Sequence, residues 1–161
     1  MPGVLRHDTE IGNLFIVGEE NFLTALYFEH ELGKLNFSLA CTEGKSLPLL
    51  EEAARQLDQY LAGRRKYFTL PLKPEGTPFL QKVWHYLLSL PYGELTSYRE
   101  IAFRMGNPRS YRAVALACQK NPLPIFIPCH RVVRSDGKIG GYKGGVEVKS
   151  RLIALELKNR T

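Results

Sequence analysis

One short segment concentrates the residues that could perform chemistry in this sequence. Pro128-Cys129-His130-Arg131 follows an apolar, proline-stiffened stretch that begins at Asn121, so a rigid loop should present the Cys129 thiol. A thiol becomes a strong nucleophile as its thiolate; a neighbouring cation lowers its pKa, and a positioned base takes its proton. His130 and Arg131 have the right chemistry for these roles. The pattern therefore predicts covalent chemistry at a cysteine.

Two alternatives stay open for this segment. A free cysteine is most often a buried, inert thiol, and a lone histidine is often a satisfied structural residue. Neighbours in an extended chain point in opposite directions, so adjacency does not place His130 against the sulfur of Cys129, and a water molecule can lie between them. The proline before Cys129 and the His-Arg pair after it favour the catalytic interpretation.

A glycine-rich loop follows the Cys-His-Arg segment. Its glycines surround Tyr142 and are Gly137, Gly140, Gly141, Gly144 and Gly145. Because glycine permits close backbone approach, the loop should bring amides and one aromatic ring near a ligand. It matches neither a phosphate-binding loop nor a dinucleotide-binding pattern.

Three helices are predicted in the second half of the chain. Thr77-Pro78 reads as an N-cap and first helical position, and that helix should end before Pro91. Ser97-Tyr98-Arg99-Glu100 has the form of a capping box, so a short helix should start there and meet Gly106. Asn107-Pro108 then reads as the cap and first position of the third helix.

The last two of these helices, joined by a tight glycine turn, suggest a helix-turn-helix. The second of the two would present Arg109 and Arg112 to DNA from one face. Its small side chains would permit close approach and are Ala113, Ala115 and Ala117. The alternative is an ordinary helical hairpin with two solvated arginines.

The first half predicts a small sheet covered by a helix. Residues 13–17 and 22–28 read as two strands around a polar turn, so we expect a β-hairpin to open the fold. Apolar residues from Leu49 to Leu61 recur at helical spacing and stop at Gly63, a natural helix end. The basic and proline-rich stretch from Arg64 to Pro78 predicts a domain linker. The fold class is therefore α/β of the α+β kind.

Composition points to a soluble protein with a polyanionic partner. The 161 residues carry a net charge of +6, which attracts nucleic acid, although many small basic proteins bind none. No stretch reaches the roughly 20 apolar residues of a membrane span, and no signal-peptide pattern opens the chain, so we expect an intracellular protein without membrane contact.

The cysteines and histidines predict no metal site. Cys41, Cys118 and Cys129 are an odd number at wide spacing, so at least one thiol should be free. His7, His30 and Cys41 lack a convincing pattern of zinc ligands. We therefore expect no metal and no other cofactor.

A series of motifs resembles the O6-alkylguanine-DNA alkyltransferase family. The series follows the family's order over about half the chain and comprises Ser97-Tyr98, Asn107-Pro108, Arg112-Ala113-Val114, Asn121-Pro122, Pro128-Cys129-His130-Arg131, Gly141-Tyr142-x-Gly144-Gly145 and Glu156. The N-terminal half is similar to the family in its coarse pattern of strands and helix alone.

The resemblance implies a fold and a reaction. A ribonuclease H-like domain would cover residues 1–73, and a winged helix-turn-helix domain would cover residues 77–161. The second domain would bind double-stranded DNA in the minor groove and flip an O6-alkylguanine out of the stack, since a thiolate cannot reach the alkyl carbon inside a duplex. The alkyl group, from O6-alkylguanine or O4-alkylthymine, would pass irreversibly to Cys129 in a single turnover.

The resemblance also implies roles for the other catalytic residues. His130 would remove the thiol proton through water, and Glu156 would orient His130 and stabilise its cation. Tyr98 would press on the flipping phosphate and donate a hydrogen bond to guanine N3. Arg112 would fill the space that the flipped base vacates.

The remaining site residues divide into two groups. Those expected at the DNA surface, besides Arg112 and Tyr98, are Ser97, Asn107, Arg109, Ala113 and Arg131. Those expected around the base are Asn121, Pro128, Val132, Tyr142 and Lys143, and Lys143 stands where relatives often have a small residue. We expect a monomer in the cytoplasm, or in the nucleus of a eukaryote.

Two rival functions remain. The first is a lesion-binding protein without chemistry, but such alkyltransferase-like proteins replace the cysteine that is present here. The second is a cysteine hydrolase with Cys129, His130 and Glu156 as its triad. A hydrolase also needs an oxyanion hole, and it would leave the helix-turn-helix and the basic charge without a role.

Overall fold

Strands open the chain and helices dominate the rest. The computed structural model describes residues 3–34 and 47–161. The strands are β1 (Gly3–Thr9), β2 (Gly12–Gly18), β3 (Leu23–Phe28), β4 (Thr96–Ser97) and β5 (Val132–Val133). The helices are α1 (Pro48–Leu61), α2 (Pro78–Leu88), α3 (Tyr98–Arg104), α4 (Tyr111–Gln119) and α5 (Val146–Asn159). This arrangement confirms the predicted α+β fold class.

The chain divides into two compact units, Met1–Glu75 and Gly76–Thr161. In the first unit, an antiparallel sheet has the strand order β1-β2-β3. The predicted hairpin of β2 and β3 is confirmed, with Ile16 opposite Leu26. The prediction that this hairpin opens the fold is wrong, because β1 precedes it and pairs with β2 along its whole length, from Gly3 opposite Gly18 to Thr9 opposite Gly12.

Helix α1 covers the sheet of the first unit. It packs against β1 and β2 and buries an apolar face that includes Leu50, Leu57 and Tyr60. The predicted helix is confirmed, and the chain turns after it at Gly63, which has φ +77°. That left-handed conformation is one that glycine adopts without steric cost.

Helix α2 begins the second unit as predicted. The Thr77 hydroxyl accepts a hydrogen bond from the Leu80 amide at 3.3 Å, and Pro78 occupies the first turn. Trp84 is buried on the inner face and donates its indole N–H to the Ala117 carbonyl at 2.8 Å. Ala117 is therefore covered by α2, and the expectation that it permits close approach to DNA is wrong.

Helices α3 and α4 form the predicted pair with a tight turn. Ser97 Oγ accepts a hydrogen bond from the Glu100 amide at 3.0 Å, and the turn after α3 passes through Gly106 at φ +88°. The Glu100 carboxylate accepts from Arg104 Nε at 2.8 Å, so it forms an ion pair along the helix where the capping box predicted a return to Ser97. The first half of the capping box is thus confirmed.

The entry to α4 differs from the prediction. Asn107 makes no side-chain cap; its carbonyl accepts from the Ser110 amide at 3.0 Å, and Pro108–Ser110 forms a 3₁₀ turn before α4 begins at Tyr111. Arg109 therefore lies in this turn and Arg112 on the α-helix. Unlike Thr77 before Pro78, the Asn107 side chain accepts no amide of the following turn, so the α-helix begins three residues later.

A two-residue parallel ladder connects the helix pair to the cysteine segment. In it, Thr96 of β4 pairs with Val132 of β5, and Ser97 pairs with Val133. The start of α3 is therefore held beside the residues that follow Cys129-His130-Arg131. This ladder places Tyr98, the first residue of α3, at the edge of the candidate site.

Candidate active site

The loop before Cys129 is held by one buried asparagine. Asn121 is fully buried, donates from Nδ2 to the Ile127 carbonyl at 2.9 Å and accepts the Leu123 amide on Oδ1 at 2.9 Å. Its side chain also makes a hydrogen bond with the Cys129 thiol. Ile125 adopts φ +76°, an uncommon conformation for a β-branched residue that this packing must enforce. The loop from Asn121 to Pro128 therefore fixes the position of the Cys129 thiol.

Cys129 opens the 3₁₀ turn Cys129–Arg131 and is only 5% exposed. Burial raises the pKa of its thiol, while the Asn121 hydrogen bond and the charges of Lys149 and Lys143 act in the opposite direction. The net effect is a protonated thiol in the free protein. A nucleophile in this state needs a base to take its proton.

His130 and Glu156 supply a base and its partner. His130 is fully buried, and its Nε2 lies 2.6 Å from Glu156 Oε2 on α5. Burial lowers the pKa of His130, and the charges of Arg131 and Lys149 lower it further, whereas Glu156 raises it. The imidazole is therefore neutral at neutral pH and able to accept a proton.

Glu156 is the centre of a buried hydrogen-bond network. Although its burial raises the pKa of the carboxyl, hydrogen bonds and charges from His130 and Arg131 outweigh burial and hold the pKa well below its usual range. The Gly93 amide donates to Oε1 at 3.0 Å. An ionised carboxylate with these partners fixes the orientation of the His130 ring.

Arg131 lies inside this network, contrary to the expectation that it contacts DNA. It is 7% exposed and donates to Glu156 from Nε at 2.8 Å and from Nη2 at 3.1 Å. Its Nη1 donates to the Leu90 carbonyl at 2.7 Å, and its guanidinium lies 5.6 Å from the centre of the Tyr92 ring. Arg131 is thus a structural partner of Glu156.

A buried lysine that sequence reasoning missed lies beside Tyr98. Lys149 is fully buried on α5 and donates from Nζ to the carbonyls of Ile139 at 2.6 Å and Gly141 at 3.3 Å, and to Tyr98 Oη at 3.4 Å. Burial lowers the pKa of Lys149 and raises that of Tyr98. Lys149 lies on the same face of α5 as Glu156, seven residues later. This spacing is the feature of the sequence that could have indicated a buried lysine.

An open pocket of about 610 Å³ lies in the second unit. Tyr98, Arg99, Tyr111, Arg112, Gly140 and Gly141 line it. Tyr98 lines the wall of this pocket, and the pKa of its hydroxyl is raised by burial first and further by the nearby thiols of Cys118 and Cys129. A Cβ atom on Gly140 would lie 2.8 Å from Tyr98 Oη, so the loop approaches the tyrosine as closely as glycine permits.

The other residues expected around the base lie on both sides of the catalytic turn. Pro128 is buried immediately before Cys129, and Val132 is fully buried immediately after the turn. Tyr142 and Lys143 are half-buried in a turn closed by the Gly145 amide, which donates to the Tyr142 carbonyl at 3.0 Å. The charge of Lys143 reaches Cys129 from this turn.

The residues expected at the DNA surface fall into two groups. Arg112 and Ala113 are exposed on α4, and Asn107 and Arg109 are exposed in the turn before it. Ser97 is half-buried as the cap of α3. The first four are therefore open to solvent, as contact with DNA requires.

Charge is divided unequally between the two units. Residues 76–161 contain 14 lysines and arginines against five acidic residues, a net charge of +9, whereas residues 1–75 contain eight against 11, a net charge of −3. The basic character of the chain thus belongs to the unit that carries α3, α4 and the cysteine. A polyanion is attracted to that unit.

The described parts of the chain, residues 3–34 and 47–161, contain no cluster of side chains suited to a metal ion. His7 lies 2.7 Å from Asp58, and His30 stacks on Phe28. Cys41, the third side chain considered for zinc, lies outside the described residues. Nor do the described ranges include a helix with the length and apolar character of a membrane span.

Comparison with known proteins identifies the class of this site. Residues 78–158 match the family model described as the DNA binding domain of 6-O-methylguanine DNA methyltransferase, and residues 6–74 match that described as its ribonuclease-like domain. Fold and site thus define a methyltransferase of the type that acts on DNA through a cysteine.

Relatives and solved structures agree. The chain is 43% identical over 152 residues to a methylated-DNA–protein-cysteine methyltransferase of Methanosarcina barkeri, covering 94% of this chain and 95% of the relative. It is 44% identical over 151 residues to the constitutive one of Bacillus subtilis, covering 92% of each. A crystal structure of Mycobacterium tuberculosis OGT in complex with DNA matches with a TM-score of 0.85 at 37% identity, covering 98% of this chain and 93% of that one. The chain belongs to the O6-alkylguanine-DNA alkyltransferase family, which confirms the resemblance.

Proposed function

We propose that this chain repairs DNA by moving an alkyl group from O6 of guanine in a duplex to Sγ of Cys129, once per molecule. The observation that carries the proposal is the burial of Cys129, His130 and Glu156, with His130 Nε2 2.6 Å from Glu156 Oε2. The directions of their pKa shifts favour a protonated thiol, a neutral imidazole and an ionised carboxylate. Together, these three side chains can convert the thiol into a thiolate. One chain supplies every group, which supports a monomer as the acting species.

The damaged base has to leave the helix before transfer. A thiol that is 5% exposed cannot reach a base stacked in a duplex, whereas the pocket of about 610 Å³ in the same unit, which Tyr98 lines, has room for a flipped base. Opening a pair costs a few kcal/mol and less for a damaged one. Arg112, exposed at the pocket wall, occupies the vacated space in the stack.

Transfer begins with removal of the thiol proton. Because His130 Nε2 faces Glu156, its Nδ1 is the atom that takes the proton, directly or through one water. The imidazolium formed is stabilised by the ionised Glu156 at 2.6 Å. His130 therefore becomes a cation only beside the Glu156 carboxylate, which neutralises its charge.

The alkyl group then moves from O6 of guanine to Sγ of Cys129. A bond forms between Sγ and the alkyl carbon as the bond from that carbon to O6 breaks, and the electron pair returns to the guanine. Tyr98 donates a hydrogen bond that stabilises the negative charge on the departing base, and Lys149, which donates to Tyr98 Oη at 3.4 Å, strengthens that bond. The guanine anion then takes a proton from water, and the imidazolium of His130 releases one. The thioether is not hydrolysed, so the protein is consumed.

Stoichiometry tests the proposal. After incubation with excess duplex containing O6-methylguanine, intact mass should show one methyl group per chain, and peptide mapping should place it on Cys129. Repaired guanines should never exceed protein molecules. Several repaired bases per chain would instead indicate a turnover enzyme such as a cysteine hydrolase. The same assay with O4-methylthymine tests the extension to that lesion.

Arg112→Ala should slow repair in duplex DNA about tenfold to a hundredfold, because the finger offsets part of the few kcal/mol needed to open the stack. Reaction with free O6-benzylguanine should stay near the wild-type rate, since a free base needs no flipping. Single-turnover kinetics on both substrates measures the difference. Equal losses on the two would remove the finger role from Arg112.

DNA binding without a lesion should depend steeply on salt. With a net charge of +9 on the second unit, log K should fall linearly with log salt concentration, and sequence preference should be slight. Arg109→Ala should flatten the slope by about one unit and weaken binding to all sequences alike. Titrations of unmodified duplex at several salt concentrations measure this. A salt-independent affinity would contradict a phosphate-directed surface.

A further inference from the structure

Two arginines share one aromatic ring at the wall of the pocket. The guanidinium carbon of Arg99 on α3 lies 4.1 Å from the centre of the Tyr111 ring, and that of Arg112 lies 5.8 Å from it. Both arginines are exposed and Tyr111 is half-buried. All three line the pocket, yet Tyr111 has no role in the transfer steps above.

The two contacts differ in strength. Cation–π attraction extends to about 6 Å from the ring centre, so Arg99 is held well within the range and Arg112 at its limit. Because Arg99 comes from α3 and Tyr111 begins α4, the closer contact also fixes the ring relative to the preceding helix.

The contact with Arg112 requires a particular side-chain conformation. Tyr111 and Arg112 are the first two residues of α4, and consecutive helical residues do not face each other. The arginine must therefore fold back toward the ring. An exposed arginine without such a contact samples many rotamers, and ordering it on DNA costs conformational entropy. A contact that is kept as the side chain inserts restricts it beforehand and so lowers this entropic cost.

We propose that Tyr111 is a positioning residue for the Arg112 finger. Arg99 clamps the ring, and the ring keeps Arg112 ordered at the pocket wall, in the position from which its side chain enters the base stack. The inference rests on the proposed function, since a finger matters only when a base is flipped. The contact with Arg112 involves the face of the Tyr111 ring, so the Tyr111 hydroxyl is not required for positioning the finger.

Tyr111→Phe and Tyr111→Leu test the proposal on two substrates. Tyr111→Leu should lower the single-turnover rate on a lesion in duplex DNA by about two- to fivefold, the range that exposed cation–π contacts provide. Its reaction with free O6-benzylguanine should match the wild type, which also shows that the variant is folded. Tyr111→Phe should retain the wild-type rate on both. In an Arg112→Ala background, Tyr111→Leu should cause no further loss.

Phe103→Leu is the matched control, because this ring is 65% exposed on α3 and is not among the residues that line the pocket. It should leave both rates unchanged. The proposal is overturned if Tyr111→Leu keeps the full duplex rate, if it loses equally on both substrates, or if its loss adds to that of Arg112→Ala. A Tyr111→Phe variant as slow as Tyr111→Leu would assign the effect to a hydroxyl contact with DNA. A wild-type protein that transfers no alkyl group from the duplex lesion would refute the transfer reaction itself.

Discussion

Cys129→Ser should lose alkyl transfer from both duplex DNA and free O6-benzylguanine. A serine hydroxyl is much less acidic than a thiol, and a neutral imidazole whose pKa is lowered by burial is too weak a base to ionise it. Intact mass should therefore stay unchanged after prolonged incubation with either substrate. DNA binding should persist, because the buried residue 129 adds no surface to the exposed face of α4.

Cys118→Ala is the matched control for this variant. Cys118 is also buried, at 6% exposure, and burial raises the pKa of its thiol. The next residue, however, is Gln119, where Cys129 is followed by a histidine. The control should transfer one alkyl group per chain as the wild type does. Alkylation of the Cys129→Ser protein on any other residue would show that the acceptor has been assigned wrongly.

Helix boundaries were the most predictable part of the fold, because their signals are local. The Thr77 and Ser97 caps each involve an amide three residues later, and the turns at Gly63 and Gly106 need a positive φ at one position. Each of these interactions closes within a few residues. A single sequence therefore contains all the information that they require.

Strand β1 is an element that its local sequence does not predict. Its centre holds Arg6, His7 and Asp8, a polar run that does not favour a strand by composition. These residues are extended because β2 offers a full row of backbone partners, with His7 opposite Leu14. Strand formation of this kind is decided by a tertiary neighbour, which propensity does not reveal.

The site was predictable where its residues form one motif. The types and order of Cys129 and His130 indicate their chemistry directly. The buried position of Arg131 depends instead on Glu156, 25 residues later, whose carboxylate accepts from the guanidinium in the interior. Lys149 was missed because a helical lysine is nearly always solvated. Three interior oxygen partners explain why this one is buried.

Glu156→Gln should destabilise the fold by about 3 to 5 kcal/mol, the cost of leaving a buried charge without its partner. The substitution keeps the shape of the side chain but leaves the nearly buried Arg131 guanidinium without an anion. Urea denaturation measures the change. Asp136→Asn is the control, since the ion pair of Asp136 with Arg134 is exposed on both sides and should contribute no measurable stability.

The same network should make the protein labile in acid, in two ranges of pH. Burial lowers the pKa of His130 below its usual 6.5, so as the pH falls through 6.5 the unfolded chain binds a proton that the folded chain refuses, and stability decreases.

The pKa of Glu156 lies far below its usual 4.5 despite burial, because of His130 and Arg131; the stability that this provides is present above pH 4.5 and is lost as the pH falls further. In Glu156→Gln the second decrease should disappear while the first remains, because residue 130 is still buried. Urea midpoints from about pH 8 to about pH 2 separate the two ranges. A wild-type midpoint that does not change over this interval would contradict both pKa directions.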